Sequence, residues 1–169
     1  MNVEVIVQQQ DRKSLALKVT PGGVVAVIAC DLDPDSPRVR RFIETGLQRL
    51  RPPAPVPPSD RLTVDELREA VAGWSVRVGV TVTRVQVRSM RTKWASCSAR
   101  GTLTLSADLL RLPRDLVDYV ICHDLVHLRV PDHGKGFRAL MGCYMPDWQE
   151  RQRRLARWVI ADGQETSAG

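Results

Sequence analysis

Residues 51–60 read RPPAPVPPSD, and five of these ten are proline. No other stretch restricts the fold as strongly. Each proline fixes φ near about −65° and removes a backbone donor, so the segment can neither continue a helix nor pair inside a sheet. The chain is therefore expected to fold as a β-rich segment with one helix over 1–50, a linker over 51–60, a larger half over 61–162 and a flexible tail over 163–169.

Before the linker the pattern is mostly β. VEVIV (Val3–Val7) and LALKV (Leu15–Val19) alternate apolar and polar residues, and GGVVAVIAC (Gly22–Cys30) is nearly all apolar. Pro21-Gly22-Gly23 is a turn signal, which predicts a hairpin between the second and third segments. A helix follows, with Ser36 as N-cap and Pro37 at its first position. After the linker, Thr63 and Glu66 have the spacing of a capping box. TRVQVRS (Thr83–Ser89) and GTLTLS (Gly101–Ser106) read as strands. A helix opens at Pro113 and stops before Pro131, and two short helices follow, from about Lys135 to Tyr144 and from near Pro146. Strands and helices in this order predict an α+β fold: an N-terminal antiparallel segment with one helix, then an α+β half.

The formal charge is +6, and its distribution is uneven. No acidic residue lies between Glu69 and Asp108, while Arg77, Arg84, Arg88, Arg91, Lys93 and Arg100 do. Two readings stay open: a solvated face balanced by acids from elsewhere in the fold, or a surface for an anionic ligand or nucleic acid. No apolar run approaches the roughly 20 residues of a membrane span, and no leader precedes the first strand, so a cytoplasmic protein is expected. Four cysteines without a CxxC pair suit free thiols in a reducing compartment.

All three histidines lie in VICHDLVHLRVPDH, residues 120–133. On a helix, Leu116, Val120, His123 and His127 fall on one stripe, so both imidazoles can face one ion. Asp124 sits one step round, beside that ion but off the ligand stripe, where a general base belongs. Past Pro131, the turn formers Asp132 and Gly134 can bring His133 back as a third ligand. Three imidazoles leave a zinc ion one open position for water, the arrangement of a hydrolytic centre.

The segments KWASCSARGTLTL, DYVICHDLVHL, PDHGKGF and MPDW, in that order, resemble the YgjP-like metallopeptidase family, a group of metal-dependent hydrolases with a zincin-type fold related to SprT-like domains. The N-terminal DRKSLALKVTPGGVVAV is also similar to the family's opening β segment. The resemblance implies a zincin-like metal-hydrolase core, with His123, His127 and His133 as zinc ligands and Asp124 in the catalytic base position. The family carries glutamate there, and the shorter side chain bears on turnover more than on fold. Ala95, Ser106 and Arg138 also depart from the family's glycine, asparagine and tryptophan.

The leading functional expectation is a peptidase-like hydrolase with metal-activated water attacking a carbonyl and Asp124 as base. A phosphoanhydride or nucleotide hydrolase, or a zinc-stabilised nucleic-acid-binding module, are the alternatives, and the Arg77–Arg100 segment motivates both. In zincins the strand before the metal helix can pair with an extended peptide, so two readings of Thr102–Leu105 stay open: a peptide-pairing strand with Thr102 and Thr104 as substrate contacts, or an ordinary core strand. Trp94, Ser96 and Cys97 likewise either shape the cleft or form a tight packed turn. Cys97 has no free histidine to serve it as base, so a nucleophilic role is not expected. Cys122 and Cys143 read as packing residues, Tyr119 as packing or a hydrogen-bond donor near the site, and Asp118 or Asp147 as partners that could orient a ligand histidine.

Overall fold

Strands β2 (Ala16–Thr20) and β3 (Gly23–Ala29) pair antiparallel with Thr20 opposite Gly23, as the hairpin signal requires. They belong to a computed structural model that describes residues 5–11, 14–20, 23–29, 31–49, 56–90 and 93–158. The turn residues Pro21 and Gly22, Cys30, linker positions 51–55, Arg91 and the tail lie outside the described residues. Strand β1 (Val5–Gln10) joins the other edge of β3 and runs parallel to it, with Val5 opposite Val24. This first sheet is therefore mixed, which residue alternation does not specify. Its continuous apolar run is its central strand, where Ala26 and Ile28 are fully buried.

Helix α1 (Pro37–Arg49) starts where the proline rule places it, and Ser36 Oγ accepts from the Val39 N–H at 3.4 Å. Any side chain at Gly46 would run into Leu17, so glycine there lets the helix approach β2 closely. Strands β1–β3 and α1 belong to one compact unit, and the described residues 56–155 form a second.

The second unit opens with α2 (Val64–Val78). Its capping box is complete: Glu66 N–H donates to Thr63 Oγ1 at 3.2 Å, and Thr63 N–H donates to Glu66 Oε2 at 2.7 Å. Strands β4 (Arg84–Arg88), β5 (Ala95–Cys97) and β6 (Thr102–Ser106) form a sheet in the order β4-β6-β5. Strand β6 is central, parallel to β4 and antiparallel to β5, and its Leu103 and Leu105 are fully buried. Gly101, at the turn into β6, has φ of 85°, and an added Cβ would lie 2.9 Å from the Thr81 carbonyl.

Helix α3 (Arg114–His127) packs against α2, β5, α4 (Lys135–Tyr144) and α5 (Trp148–Leu155). Its buried residues surround most of its circumference, which suits a central helix. Trp74 Nε1–H of α2 donates to Asp118 Oδ1 at 3.0 Å, and Arg114 Nε approaches the same oxygen at 3.2 Å. Cys122 is buried with its Sγ 3.9 Å from Met141 Sδ, as expected, whereas Cys143 is exposed. Cys143 lies two residues past the buried Met141, about 200° around the helix, and so points outward. No helix among the described residues is long and apolar enough to cross a membrane.

Candidate metal centre

The apolar stripe of α3 ends in two imidazoles. Leu116 and Val120 are buried, while His123 and His127, one turn further on, reach a half-exposed surface. The helix closes with Val130 N–H donating to the Val126 carbonyl at 2.9 Å, and Pro131, lacking an N–H, ends it. The turn then reverses. Asp132 Oδ1 accepts from Gly134 N–H at 2.7 Å, an Asx-type bond that leads into α4.

The reversal brings His133 onto the pair. Its Nε2 lies 3.0 Å from Nε2 of His127 and 3.3 Å from Nε2 of His123. The edge of a tetrahedron with zinc–nitrogen bonds of about 2.0–2.1 Å is about 3.3 Å. The three nitrogens therefore have the spacing of ligands around one ion.

Protonation supports the same use. His127 Nδ1 lies 3.2 Å from the Val130 carbonyl oxygen, which can only accept. The proton sits on Nδ1, and the Nε2 lone pair faces the other two histidines. Burial and the neighbouring His123 hold His127 below the ordinary imidazole pKa, so the ring is neutral at pH 7. His123 Nδ1 lies 3.4 Å from Asp124 Oδ1.

Phe137 of α4 is the floor of the cluster. It is 2% exposed, stacks on His127 at a centroid distance of 4.6 Å, and meets His123 and His133 edge-on at 5.1 and 4.9 Å. Its apolar helical phase was legible in the sequence, but not its contact with all three rings. The ligand turn is braced from further away. Arg129 donates to the Val78 carbonyl at 3.2 Å and to Tyr144 Oη at 2.8 Å, tying it to the ends of α2 and α4.

A cleft of about 680 Å³ lies at the histidines, with Lys93 and residues 95–99 on one wall and Asp124, Leu128 and Pro131 among the residues of the other. Burial, with the Asp124 charge second, pushes the Cys97 thiol up to about 11, so it stays protonated and is no nucleophile. The same two causes raise the Tyr119 phenol to about 12; Tyr119 is 4% exposed, with its ring 5.7 Å from His123. Asp118 and Asp147 do not orient a histidine. Asp118 is engaged by Trp74 and Arg114, and Asp147 accepts from Arg151 at 2.9 Å.

One expectation is corrected. Both edges of β6 are already paired, so no peptide can add to Thr102–Leu105, and Thr104 is only 9% exposed. The strand beside the cleft is β5, too short to be read as a strand from alternation. Ser98 N–H donates to the Thr102 carbonyl and Ser106 N–H to the Trp94 carbonyl, both at 2.9 Å. Hydrogen-bonded positions alternate in an antiparallel ladder, so residues 94, 96 and 98 bond inward to β6. Ala95 and Cys97 turn their N–H and C=O groups to the outer edge. Ser96 lines the cleft, and Trp94 is half-buried at its margin. Of the basic segment, Arg77 lies 4.0 Å over the Trp74 ring and donates to the Tyr144 carbonyl, a structural use.

Residues 59–158 match the family described as YgjP-like, metallopeptidase domain. The chain belongs to this family. Two solved structures are similar to it over 53% of its length: the metallopeptidase zymogen jannalysin of Methanocaldococcus jannaschii, at 21% identity, TM-score 0.48 and 92% of that chain, and the metallopeptidase zymogen abylysin of Pyrococcus abyssi, at 22% identity, TM-score 0.47 and 90% of that chain. No curated protein is found to match the chain. The matched YgjP-like region holds the histidine cluster, Asp124, β5 and Phe137 together.

Within this YgjP-like region, Phe137→Ala is expected to cost about 3–5 kcal/mol in chemical denaturation, as for other buried aromatic truncations. The same variant should bind zinc more weakly in a titration, because the three rings lose their common support. Unchanged zinc affinity would show that the floor only stabilises the fold.

Proposed function

We propose that the protein is a zinc-dependent, peptidase-like hydrolase. In this reading His123, His127 and His133 hold one zinc ion and Asp124 is the general base. The observation that carries it is the convergence of three Nε2 atoms at 3.0 and 3.3 Å, with His127 locked in the tautomer that frees its lone pair. The family's metallopeptidase description supports the class of reaction.

When bound, the ion supplies Lewis-acid chemistry that makes water acidic near neutral pH and polarises a carbonyl. The protein's own groups do the rest. His127 is oriented by Val130, and Phe137 excludes water from beneath the rings. The Asp124 carboxylate accepts a proton from water and returns it to the departing amine. The outward N–H and C=O groups of Ala95 and Cys97 can hold an extended peptide by strand addition along β5, with Ser96 and Trp94 close to its path. This edge favours a peptide over a nucleotide, since a nucleotide has no complementary ladder of amides.

The test is hydrolysis of unfolded protein substrates by the zinc-loaded chain. Cleavage should stop with a chelator and return with stoichiometric zinc. Cleavage that a chelator leaves untouched, or no cleavage at all, would overturn the reading.

A further inference from the structure

The β5 wall of the cleft is chemically one-sided. Residues 95–99 are Ala, Ser, Cys, Ser and Ala, none bulky and none charged, and the wall begins with one cation, Lys93. Lys93 is two residues before Ala95 and four before Cys97, and it lines the same cleft at the N-terminal end of this wall. Among the described residues it has no ion-pair partner, and it sits in a stretch of 38 residues, from 70 to 107, without a single acid. Arg100, just past this wall, is exposed, as are Arg84 and Arg88 on β4 at the far edge of the sheet, and together they give the surface around the cleft a positive field. Asp124 is the one carboxylate in the cleft lining, and it borders Cys97 closely enough to influence the thiol.

We propose that Lys93 makes the cleft selective for peptides carrying an acidic side chain on the C-terminal side of the cleaved bond. This deepens the peptidase reading and rests on it. Antiparallel pairing is the more stable form of strand addition. A peptide antiparallel to β5 has its C-terminal direction running from Cys97 toward Lys93. The reacting bond lies level with Asp124, beside Cys97. Lys93 is then four residues away, about 13 Å at about 3.3 Å per residue. That distance selects the second to fourth residue after the bond. Ala95 and Ser96 leave room for large substrate residues, and Lys93 is the one charged group on this wall, so charge at its far end is a discriminating feature.

The experiment profiles cleavage sites in a peptide library treated with zinc-loaded wild type and with Lys93→Glu, mapped by mass spectrometry. Wild type is expected to enrich Asp and Glu at the second to fourth positions after the cut, by about fivefold over Gln, the upper end for an exposed ion pair. The enrichment should shrink as salt is raised. Lys93→Glu should reverse it in favour of Lys and Arg. No enrichment, enrichment on the N-terminal side, or enrichment unchanged in Lys93→Glu overturns the proposal. If no peptide is cut, the peptidase reading has failed. Anisotropy of one labelled peptide in Glu and Lys versions, bound to the zinc-loaded chain, then decides the selectivity separately: tighter binding of the Glu version, lost in Lys93→Glu, supports it, and equal or undetectable binding overturns it.

Discussion

Asp124→Asn is expected to lower peptide turnover by about 10²–10⁴-fold, the usual contribution of a positioned general base, while zinc stays bound. Asparagine keeps the shape of the side chain and removes its basicity. The carboxylate is half-buried, 3.4 Å from His123 Nδ1 and in the same cleft as all three histidines, so the substitution changes proton transfer with little repacking. Asp124→Glu is the companion measurement. It restores the longer reach of the family's usual glutamate and should equal or exceed wild type if distance to the water limits turnover. Turnover by Asp124→Asn at the wild-type rate, with zinc content unchanged, would remove Asp124 from the mechanism.

His127→Ala is expected to abolish stoichiometric zinc binding, weakening affinity by more than about 100-fold, since even partners one shell further out contribute 10–100-fold. His127 is the most constrained of the three rings: stacked on Phe137, held at Nδ1 by Val130 and facing His133 at 3.0 Å. Metal analysis and a competitive zinc titration would measure the loss. Acidity gives a second reading of the same site. His127 is held below the ordinary imidazole pKa, so protons do not compete with zinc at this ring near pH 7. In wild type, zinc affinity should fall as acid protonates the ligand imidazoles. A His127→Ala protein that still retains one tightly held zinc would mean that the ion sits elsewhere.

The correction at β5 shows where sequence reading reaches its limit. Thr102–Ser106 reads as a strand because alternation within five residues is a local property. Its central position is set by register with residues 84–88 and 95–97, and pairing across such separations leaves no periodic trace in the strand itself. Three residues are too few for Ala95–Cys97 to show a period at all. Asp118 illustrates the same limit, since its partner Trp74 lies 44 residues away.

The sequence alone determined what depends on short spacing. Four-residue steps place His123 and His127 on one helical stripe, Pro131 ends that helix, and Thr63 with Glu66 caps another, all through backbone geometry within one or two turns. Only the tertiary structure decided how these pieces serve one another. It turned the His127 lone pair toward His133, set Phe137 under three imidazoles, and left β5, not β6, with its backbone open to the cleft. Those outcomes depend on side-chain packing and strand register between segments distant in the chain, which many sequences with the same local pattern could satisfy differently.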